Sequence, residues 1–299
     1  MKYYLYFISK PNKLTKNIYE EILEYIKNHE LKILQEEILA ESECYCFLLD
    51  FNSDENIFLN KLREDFYKLE IDIFLIKEEY RKIKKLLIAD MDSTIIENEC
   101  IDEIAKYANK YEEVKKVTEA AMNGELDFSS SLIKRVKLLE SIPLKSLEEI
   151  YNNNIKLSYG AEILGKTLKK YNCHLALASG GFQFFTNKIK EKISFNEDHS
   201  NNLEVKNNIL TGNIIPPIFD NNSKLKLSKK LQEKLNLQPE EIICVGDGAN
   251  DIPMLKSTPF GIAYKAKETV KTASQHHINH SSLTSILYLQ GIKKIDFII

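Results

Sequence analysis

The spacing of hydrophobic residues in the first part of the chain predicts strands and helices in a defined order. The order is strand, helix, strand, strand, helix, strand, over residues 2–8, 17–29, 31–39, 44–51, 54–68 and 70–77. It is typical of a ferredoxin-like α+β domain, a four-stranded antiparallel sheet with both helices on one face. A basic segment at 81–85 follows. We therefore expect a first domain over residues 1–82 and a second domain over residues 83–299.

The second part of the chain combines short apolar runs with a long helical stretch. The runs at 86–89, 173–178 and 242–245 are continuously apolar, which is typical of buried strands in a parallel sheet. Residues 98–122 and 128–170 carry apolar residues at helical spacing instead. This stretch is longer than a crossover between strands needs, so we expect a helical cap at about 98–165. The expected fold class is α/β, a Rossmann-like parallel sheet with a helical cap.

Two of the apolar runs end in acidic residues. Asp90 and Asp92 follow the run at 86–89, and Asp247 and Asp251 follow the run at 242–245. The carboxyl ends of parallel strands share one edge of an open sheet, where ligands bind, so the clusters should meet there. Crowded carboxylates need a cation, and oxygen ligands without His or Cys favour Mg²⁺. Asp90 could act as nucleophile or metal ligand and Asp92 as acid/base, although Asp90 could also merely cap a helix.

Other residues in the second domain suit a phosphate ester. Ser179 and Gly180 follow the run at 173–178 and offer a hydroxyl and unhindered N–H groups, although such a turn is common without function. Lys224 begins a predicted helix, where its ammonium could neutralise charge on Asp90 and on a phosphoryl group. Spacing alone does not distinguish Lys224 from other lysines of that helix, which could form a solvated face.

Composition restricts the partners and the compartment. The 41 Lys and Arg against 44 Asp and Glu give a net charge of -3, so no global charge favours nucleic acid. No apolar run reaches about 18 residues, and the N-terminus does not resemble a signal peptide. The five cysteines are odd in number and form no C-x-x-C pair, as in reduced proteins. We expect a cytoplasmic protein without a membrane or nucleic-acid partner, with His276, His277 and His280 at the surface.

Four ordered segments resemble the motifs of the haloacid dehalogenase superfamily. They are Asp90-Met91-Asp92-Ser93-Thr94, Ser179-Gly180-Gly181-Phe182, a lysine, and Gly246-Asp247-Gly248-Ala249-Asn250-Asp251. Segments 99–105, 122–128 and 131–136 resemble more narrowly the phosphoserine phosphatases of that superfamily. The resemblance spans roughly residues 85–290. It implies magnesium-dependent hydrolysis of O-phospho-L-serine through an aspartyl-phosphate, the last step of L-serine biosynthesis.

The resemblance implies a role for each matching position. Asp90 would be the nucleophile, Asp92 the acid/base and Lys224 the catalytic lysine, preferred to Lys226 because an ungapped alignment selects it. The Asp90 carboxylate, the Asp92 backbone carbonyl and Asp247 would hold Mg²⁺, with Asp251 in support. The implied substrate-binding residues are Glu99, Met122, Phe128, Arg135, Ser179, Gly180, Lys224 and Asn250. Glu99 would bind the substrate ammonium and Arg135 its carboxylate, whereas without the resemblance both would be ordinary surface charges.

Two other functions remain open at this point. A related enzyme could transfer the phosphoryl group to homoserine or another small alcohol, and a chain without turnover could serve as an amino-acid sensor. The first domain resembles ACT-type amino-acid-binding modules, but its first turn, 9–13, lacks the glycine of such ligand-binding loops. A serine site, a packing role and a homodimer contact all remain open for it.

Overall fold

The first part of the chain forms an antiparallel sheet with two helices. The computed structural model describes residues 1–299. The strands are β1 (Lys2–Ile8), β2 (Lys32–Ala40), β3 (Cys44–Asp50) and β4 (Asp72–Lys77), and the helices are α1 (Lys16–Asn28) and α2 (Glu55–Asp65). The strand order is β2-β3-β1-β4, and every pair is antiparallel. The predicted α+β fold is therefore confirmed.

Side chains of β1 alternate between two cores, as the period of two in a strand requires. Tyr3, Leu5 and Phe7 pack with α1 and α2 in a cluster confined to this first part of the chain. Tyr6 and Ile8 point to the other face and join the large core of the second part. The first sheet is therefore covered by its own helices on one face and by the second part of the chain on the other.

The second sheet has seven strands. They are β5 (Leu86–Ala89), β6 (His174–Phe182), β7 (Glu197–Lys206), β8 (Ile209–Ile215), β9 (Ile242–Gly246), β10 (Phe260–Tyr264) and β11 (His276–Ile278), in the order β11-β10-β9-β5-β6-β7-β8. All pairs are parallel except the β7–β8 hairpin. The predicted parallel α/β sheet is confirmed, and β5 lies at its centre.

Ten helices accompany the second sheet. They are α3 (Cys100–Tyr107), α4 (Tyr111–Met122), α5 (Phe128–Lys137), α6 (Leu144–Asn153), α7 (Ala161–Lys170), α8 (Gln183–Lys192), α9 (Asn221–Lys234), α10 (Ile252–Leu255), α11 (Glu268–Lys271) and α12 (Ser285–Tyr288). None of them combines the length and apolar character that crossing a lipid bilayer requires. The helical stretches predicted over 98–122 and 128–170 are confirmed as the five helices α3 to α7, and the left-handed residues Asn109, Ser141 and Gly160 lie in the connections between them.

The junction between the two sheets corrects the expectation for one histidine. His276 is buried in β11, with Phe260 stacked on its ring at 5.6 Å and Phe74 at 6.2 Å. Nearby, the buried Asp72 carboxylate accepts hydrogen bonds from the backbone N–H groups of Asn279 and Ser281, each at 2.8 Å. The surface expectation is wrong for His276 because the first sheet packs over this edge of the second sheet.

Candidate active site

The pairing of β5 with β9 brings the two acidic clusters together. Ala89 lies opposite Val245, and the Asp90 N–H donates to the Val245 carbonyl at 2.9 Å. One carboxylate oxygen each from Asp90, Asp247 and Asp251 lie within 4.8 Å of one another. The sheet therefore positions three carboxylates from two distant segments at one edge, as the direction of the strands predicts.

Glycines allow the second acidic segment to fold back on itself. A Cβ at Gly246 would lie 2.4 Å from the carboxyl carbon of Asp251, so no larger residue fits there. The Gly248 N–H donates to Asp251 Oδ2 at 3.0 Å, and Asp251 is completely buried. The neighbouring Asp247 accepts a hydrogen bond from Thr94 Oγ1 at 3.2 Å. Both carboxylates are therefore held in place before any ligand binds.

Lys224 lies among these carboxylates. Asp220 caps α9 by accepting the Ser223 N–H at 2.8 Å, which places Lys224 in the first turn of the helix. Its Nζ lies 2.6 Å from Asp90 Oδ1 and 2.6 Å from Asp251 Oδ1, and the residue has no exposed surface. Burial disfavours the charged ammonium, but the two carboxylates outweigh burial and raise the pKa of Lys224. Lys226, two residues further on, is exposed.

The cluster carries more negative than positive charge. Three carboxylates and one ammonium leave a formal charge of -2, in a site where burial and the neighbouring Asp251 raise the pKa of Asp90 well above its usual value. The same two causes raise the pKa of Asp247 to about 6. Oxygen donors with this excess negative charge fit a divalent cation. The carboxylates that would hold it are those of Asp90 and Asp247, with Asp251, whose oxygens accept hydrogen bonds from Lys224 and Gly248, in support.

The Asp92 carboxylate is directed away from this cluster. Its Oδ1 accepts the Cys100 N–H at 2.8 Å, and its Oδ2 accepts the Ser179 hydroxyl at 3.2 Å. The Gly181 N–H in turn donates to Ser179 Oγ at 2.9 Å. Burial, which outweighs these hydrogen bonds, raises the pKa of Asp92. A carboxyl group with a raised pKa can hold a proton near neutral pH and donate it.

Two residues of opposite charge, Glu99 before α3 and Arg135 in α5, lie near Asp92. Ser93, in the left-handed region with φ 56°, donates its hydroxyl to Glu99 Oε1 at 2.6 Å. Glu99 keeps an exposed surface although protein lies around most of it, and the partial desolvation, with the charge of nearby Asp92, raises its pKa to about 8. Arg135 of α5 is half-buried. Desolvation lowers its pKa, and the negative charge of Glu99, which raises that pKa, offsets only part of the effect.

Comparison with known proteins identifies the family. The family model for haloacid dehalogenase-like hydrolases matches residues 84–257. The chain belongs to this family. The sequence of this chain is 38% identical to that of the phosphoserine phosphatase of Archaeoglobus fulgidus, and the matched region covers 80% of this chain and 70% of the Archaeoglobus protein. A solved HAD family hydrolase from Salmonella enterica serovar Typhi is similar with a TM-score of 0.85 and 30% identity, over 96% of this chain and 98% of that one. A solved phospho-aspartyl intermediate analogue of a phosphoserine phosphatase is 40% identical with a TM-score of 0.64, over 69% of this chain and 99% of that one.

The remaining expected residues of this haloacid dehalogenase-like hydrolase differ in their surroundings. The Phe128 ring packs on Gly180 so closely that a Cβ at Gly180 would lie 2.9 Å from it. Asn250 is half-buried and folds back over Gly248. Met122 is 64% exposed at the end of α4, so here it does not close apolar surface over the site.

Sequence reasoning missed one buried polar residue of this hydrolase. Asn201 of β7 has no exposed surface and donates its side-chain amide to the Gly180 carbonyl at 2.9 Å. It belongs to no motif and lies in a polar run, 196–202, that suggests a surface strand. No sequence signal distinguishes it from its exposed neighbour Asn202.

Proposed function

We propose that this hydrolase removes the phosphoryl group from O-phospho-L-serine with Mg²⁺ and releases L-serine and phosphate. The observation that carries the proposal is the cluster of Asp90, Lys224, Asp247 and Asp251 in one buried site. A carboxylate next to an ammonium and a candidate cation site is suited to phosphoryl transfer. Similarity to phosphoserine phosphatases over most of the chain supports the choice of substrate.

In the first step, the Asp90 carboxylate attacks phosphorus and forms an aspartyl-phosphate. The bond between phosphorus and the serine oxygen breaks, and Asp92 donates its proton to that oxygen, so that serine leaves as a neutral alcohol. The raised pKa of Asp92 supports this role, because the proton must be present when substrate binds. The Lys224 ammonium offsets negative charge on Asp90 and on the phosphoryl oxygens.

In the second step, Asp92 acts in the opposite direction. Its carboxylate, now deprotonated, takes a proton from water while the water oxygen attacks phosphorus. The bond from Asp90 to phosphorus breaks, which frees phosphate and restores the Asp90 carboxylate. Asp90, Asp247 and the Asp92 backbone carbonyl would hold Mg²⁺ with Asp251 in support, and the ion supplies positive charge that offsets the phosphoryl oxygens.

Selectivity for phosphoserine would come from the cap. Glu99 would bind the substrate ammonium and Arg135 its carboxylate through a bidentate pair. Ser179, Gly180 and Asn250 would hold the phosphate. Two apolar side chains would close over the bound substrate, those of Met122 and of Phe128, which already lies on Gly180. Met122 is 64% exposed, so it would have to move and become more buried when substrate binds.

The proposal is tested by measuring phosphate release from L-phosphoserine with Mg²⁺ and with a chelator. We expect the chelator to stop turnover, and kcat/KM for phosphoserine to exceed that for p-nitrophenyl phosphate by at least about 100-fold, since two charged contacts are lost with the generic ester. Asp90→Asn should abolish turnover at an unchanged melting temperature, whereas the exposed control Asp296→Asn should retain activity. Equal turnover of both esters would refute the substrate, and transfer to added homoserine would indicate a phosphotransferase.

We propose further that residues 1–82 and 83–299 are two domains, with the cap at about 98–165. The apolar cluster formed within residues 3–75 supports this division. Limited proteolysis should cut first at the connector near residue 82. The five buried cysteines, none in a disulfide, support a reducing compartment such as the cytoplasm.

A homodimer is the last part of the proposal. β2 is an edge strand of the first sheet, and its Ile33, Leu34 and Ile38 are exposed by 38%, 40% and 44%. An edge strand with exposed apolar side chains is suited to pairing with a second copy. Sedimentation equilibrium should show a dimer that Ile38→Lys weakens, and a monomer for the wild type would refute it.

A further inference from the structure

Strand β6 bulges where it forms the Ser179-Gly180 turn. Ala178 pairs with His199 and Phe182 pairs with Asn201, so residues 179–181 of β6 lie opposite Ser200 alone. Such a bulge interrupts the ladder and leaves backbone groups in need of other partners. The side chain of Asn201 provides one of them, because its Nδ2 donates to the Gly180 carbonyl at 2.9 Å.

The same side chain holds the segment that precedes α9. Asn201 Nδ2 also donates to the Phe219 carbonyl at 3.1 Å, and Asn201 Oδ1 accepts the Phe219 N–H at 2.7 Å. Phe219 is followed by Asp220, the N-cap of the helix that carries Lys224. One fully buried amide therefore ties the Gly180 turn to the start of the Lys224 helix through three hydrogen bonds.

The bond to Asn201 also fixes the direction of the Gly180–Gly181 peptide. The C=O and N–H groups of a trans peptide point in opposite directions, so a carbonyl held by Asn201 directs the Gly181 N–H to the other side. There it donates to Ser179 Oγ at 2.9 Å, and the Ser179 hydroxyl donates to Asp92 Oδ2 at 3.2 Å. Two successive glycines let this peptide rotate readily. A rotated peptide would present its carbonyl to Ser179 and draw the hydroxyl proton away from Asp92.

We propose that Asn201 is a positioning residue for the reaction. It holds the Gly180–Gly181 peptide so that Ser179 bonds Asp92 and faces the phosphate, and it keeps Lys224 at a fixed distance from that turn. The proposal rests on the proposed function in one respect, that the substrate is a phosphate monoester. Asn201 itself touches no reacting atom.

The test compares Asn201→Ala with Asn202→Ala, a control on the exposed side of the same strand. We expect Asn201→Ala to raise both the KM for phosphoserine and the Ki of inorganic phosphate about 10-fold, and to lower kcat about 10- to 100-fold. Asn202→Ala should leave all three unchanged. A purely structural role predicts instead a lower melting temperature and yield, with KM and Ki unchanged in the active fraction, and that result would overturn the proposal.

A second variant gives a readout that a structural role would not produce. Asn201→Asp keeps the acceptor for Phe219 and loses both donors while it is ionised, but a protonated carboxyl regains one donor. Its affinity for inorganic phosphate, divided by that of the wild type, should therefore rise as the pH falls, whereas the ratio for Asn201→Ala should stay constant. If neither variant folds, Asn201 acts through folding alone and the proposal is wrong. Calorimetry measures phosphate binding without turnover. If the wild type binds phosphate but does not hydrolyse phosphoserine, the proposed function is refuted, while the comparison of the Asn201 variants can still be made.

Discussion

Replacing Lys224 by Met should destabilise the protein far more than replacing an exposed lysine of the same helix. The Lys224 ammonium is completely buried and lies 2.6 Å from both Asp90 and Asp251. Without it, the formal charge of the three-carboxylate cluster changes from -2 to -3. Removing one partner of a buried ion pair costs about 3–5 kcal/mol, because the remaining charge stays buried and uncompensated. Methionine keeps the length of the side chain, so packing contributes little to this cost.

The loss should appear in both unfolding and turnover. A cost of about 3–5 kcal/mol lowers the melting temperature by roughly 5–8 °C in a protein of 299 residues, because the unfolding entropy scales with chain length. Since the ammonium would offset charge that develops on the transferring phosphoryl group, kcat should fall about 10²- to 10³-fold. Added Mg²⁺ should stabilise the Lys224→Met variant more than the wild type, because the variant cluster carries the larger negative charge.

The matched control is Lys226→Met, which removes the same charge from the same helix at an exposed position. Thermal unfolding with a chelator and with Mg²⁺, and phosphate release from phosphoserine, should be measured for both variants and the wild type. We expect Lys226→Met to remain within about 0.5 kcal/mol of the wild type, as surface substitutions usually do. Similar effects of the two variants on stability and turnover would refute the assignment of the buried lysine.

Three further predictions concern the cap, the turn and a buried lysine. Glu99→Gln should raise the KM for phosphoserine about 10-fold or more while that for p-nitrophenyl phosphate is unchanged, and the exposed Glu97→Gln should change neither. Gly181→Ala places a Cβ 2.4 Å from Asp92 Oδ2 and should lower kcat about 100-fold at a similar melting temperature, since the carboxyl is displaced. Burial lowers the pKa of Lys84 to about 7. Between that pH and about 10.4 the unfolded chain binds a proton that the folded protein lacks, so this group makes the free energy of unfolding rise with pH. Lys84→Met should remove that slope, at most about 5 kcal/mol across the window in urea unfolding, and an unchanged slope would contradict the shift.

The sequence predicts those parts of the fold that follow from periodicity and strand direction. Continuous apolar runs before Asp90 and Asp247 indicate parallel strands, and parallel strands place their carboxyl ends at one edge. The structure accordingly brings both carboxylates into one cluster with Asp251. The strand and helix order of residues 1–82 is likewise recovered from the spacing of apolar residues, alternating in the strands and helical in the helices.

Periodicity does not predict which side of a helix faces the core when two candidate residues lie on the same helix. Lys224 and Lys226 are separated by about 200° around the helix axis, so only one of them can face the sheet. Spacing identifies the helix but not its rotation, and only the structure shows that Lys224 is buried and Lys226 is exposed. The burial of His276 is unpredictable for a related reason, because it comes from the docking of the first sheet.

The carboxylate cluster can be predicted from the sequence, whereas Asn201 cannot. The reason is that buried charges and buried amides have different requirements. Buried carboxylates are costly unless a cation compensates them, so clusters such as Asp247 and Asp251 at a strand end indicate a function. A buried asparagine needs only hydrogen-bond partners, which backbone carbonyls anywhere in the fold can supply. Asn201 meets that need with Gly180 and Phe219, which are distant in sequence and carry no distinctive side-chain chemistry. A residue such as Asn201, which holds a turn through its backbone, is therefore found only when the fold is known.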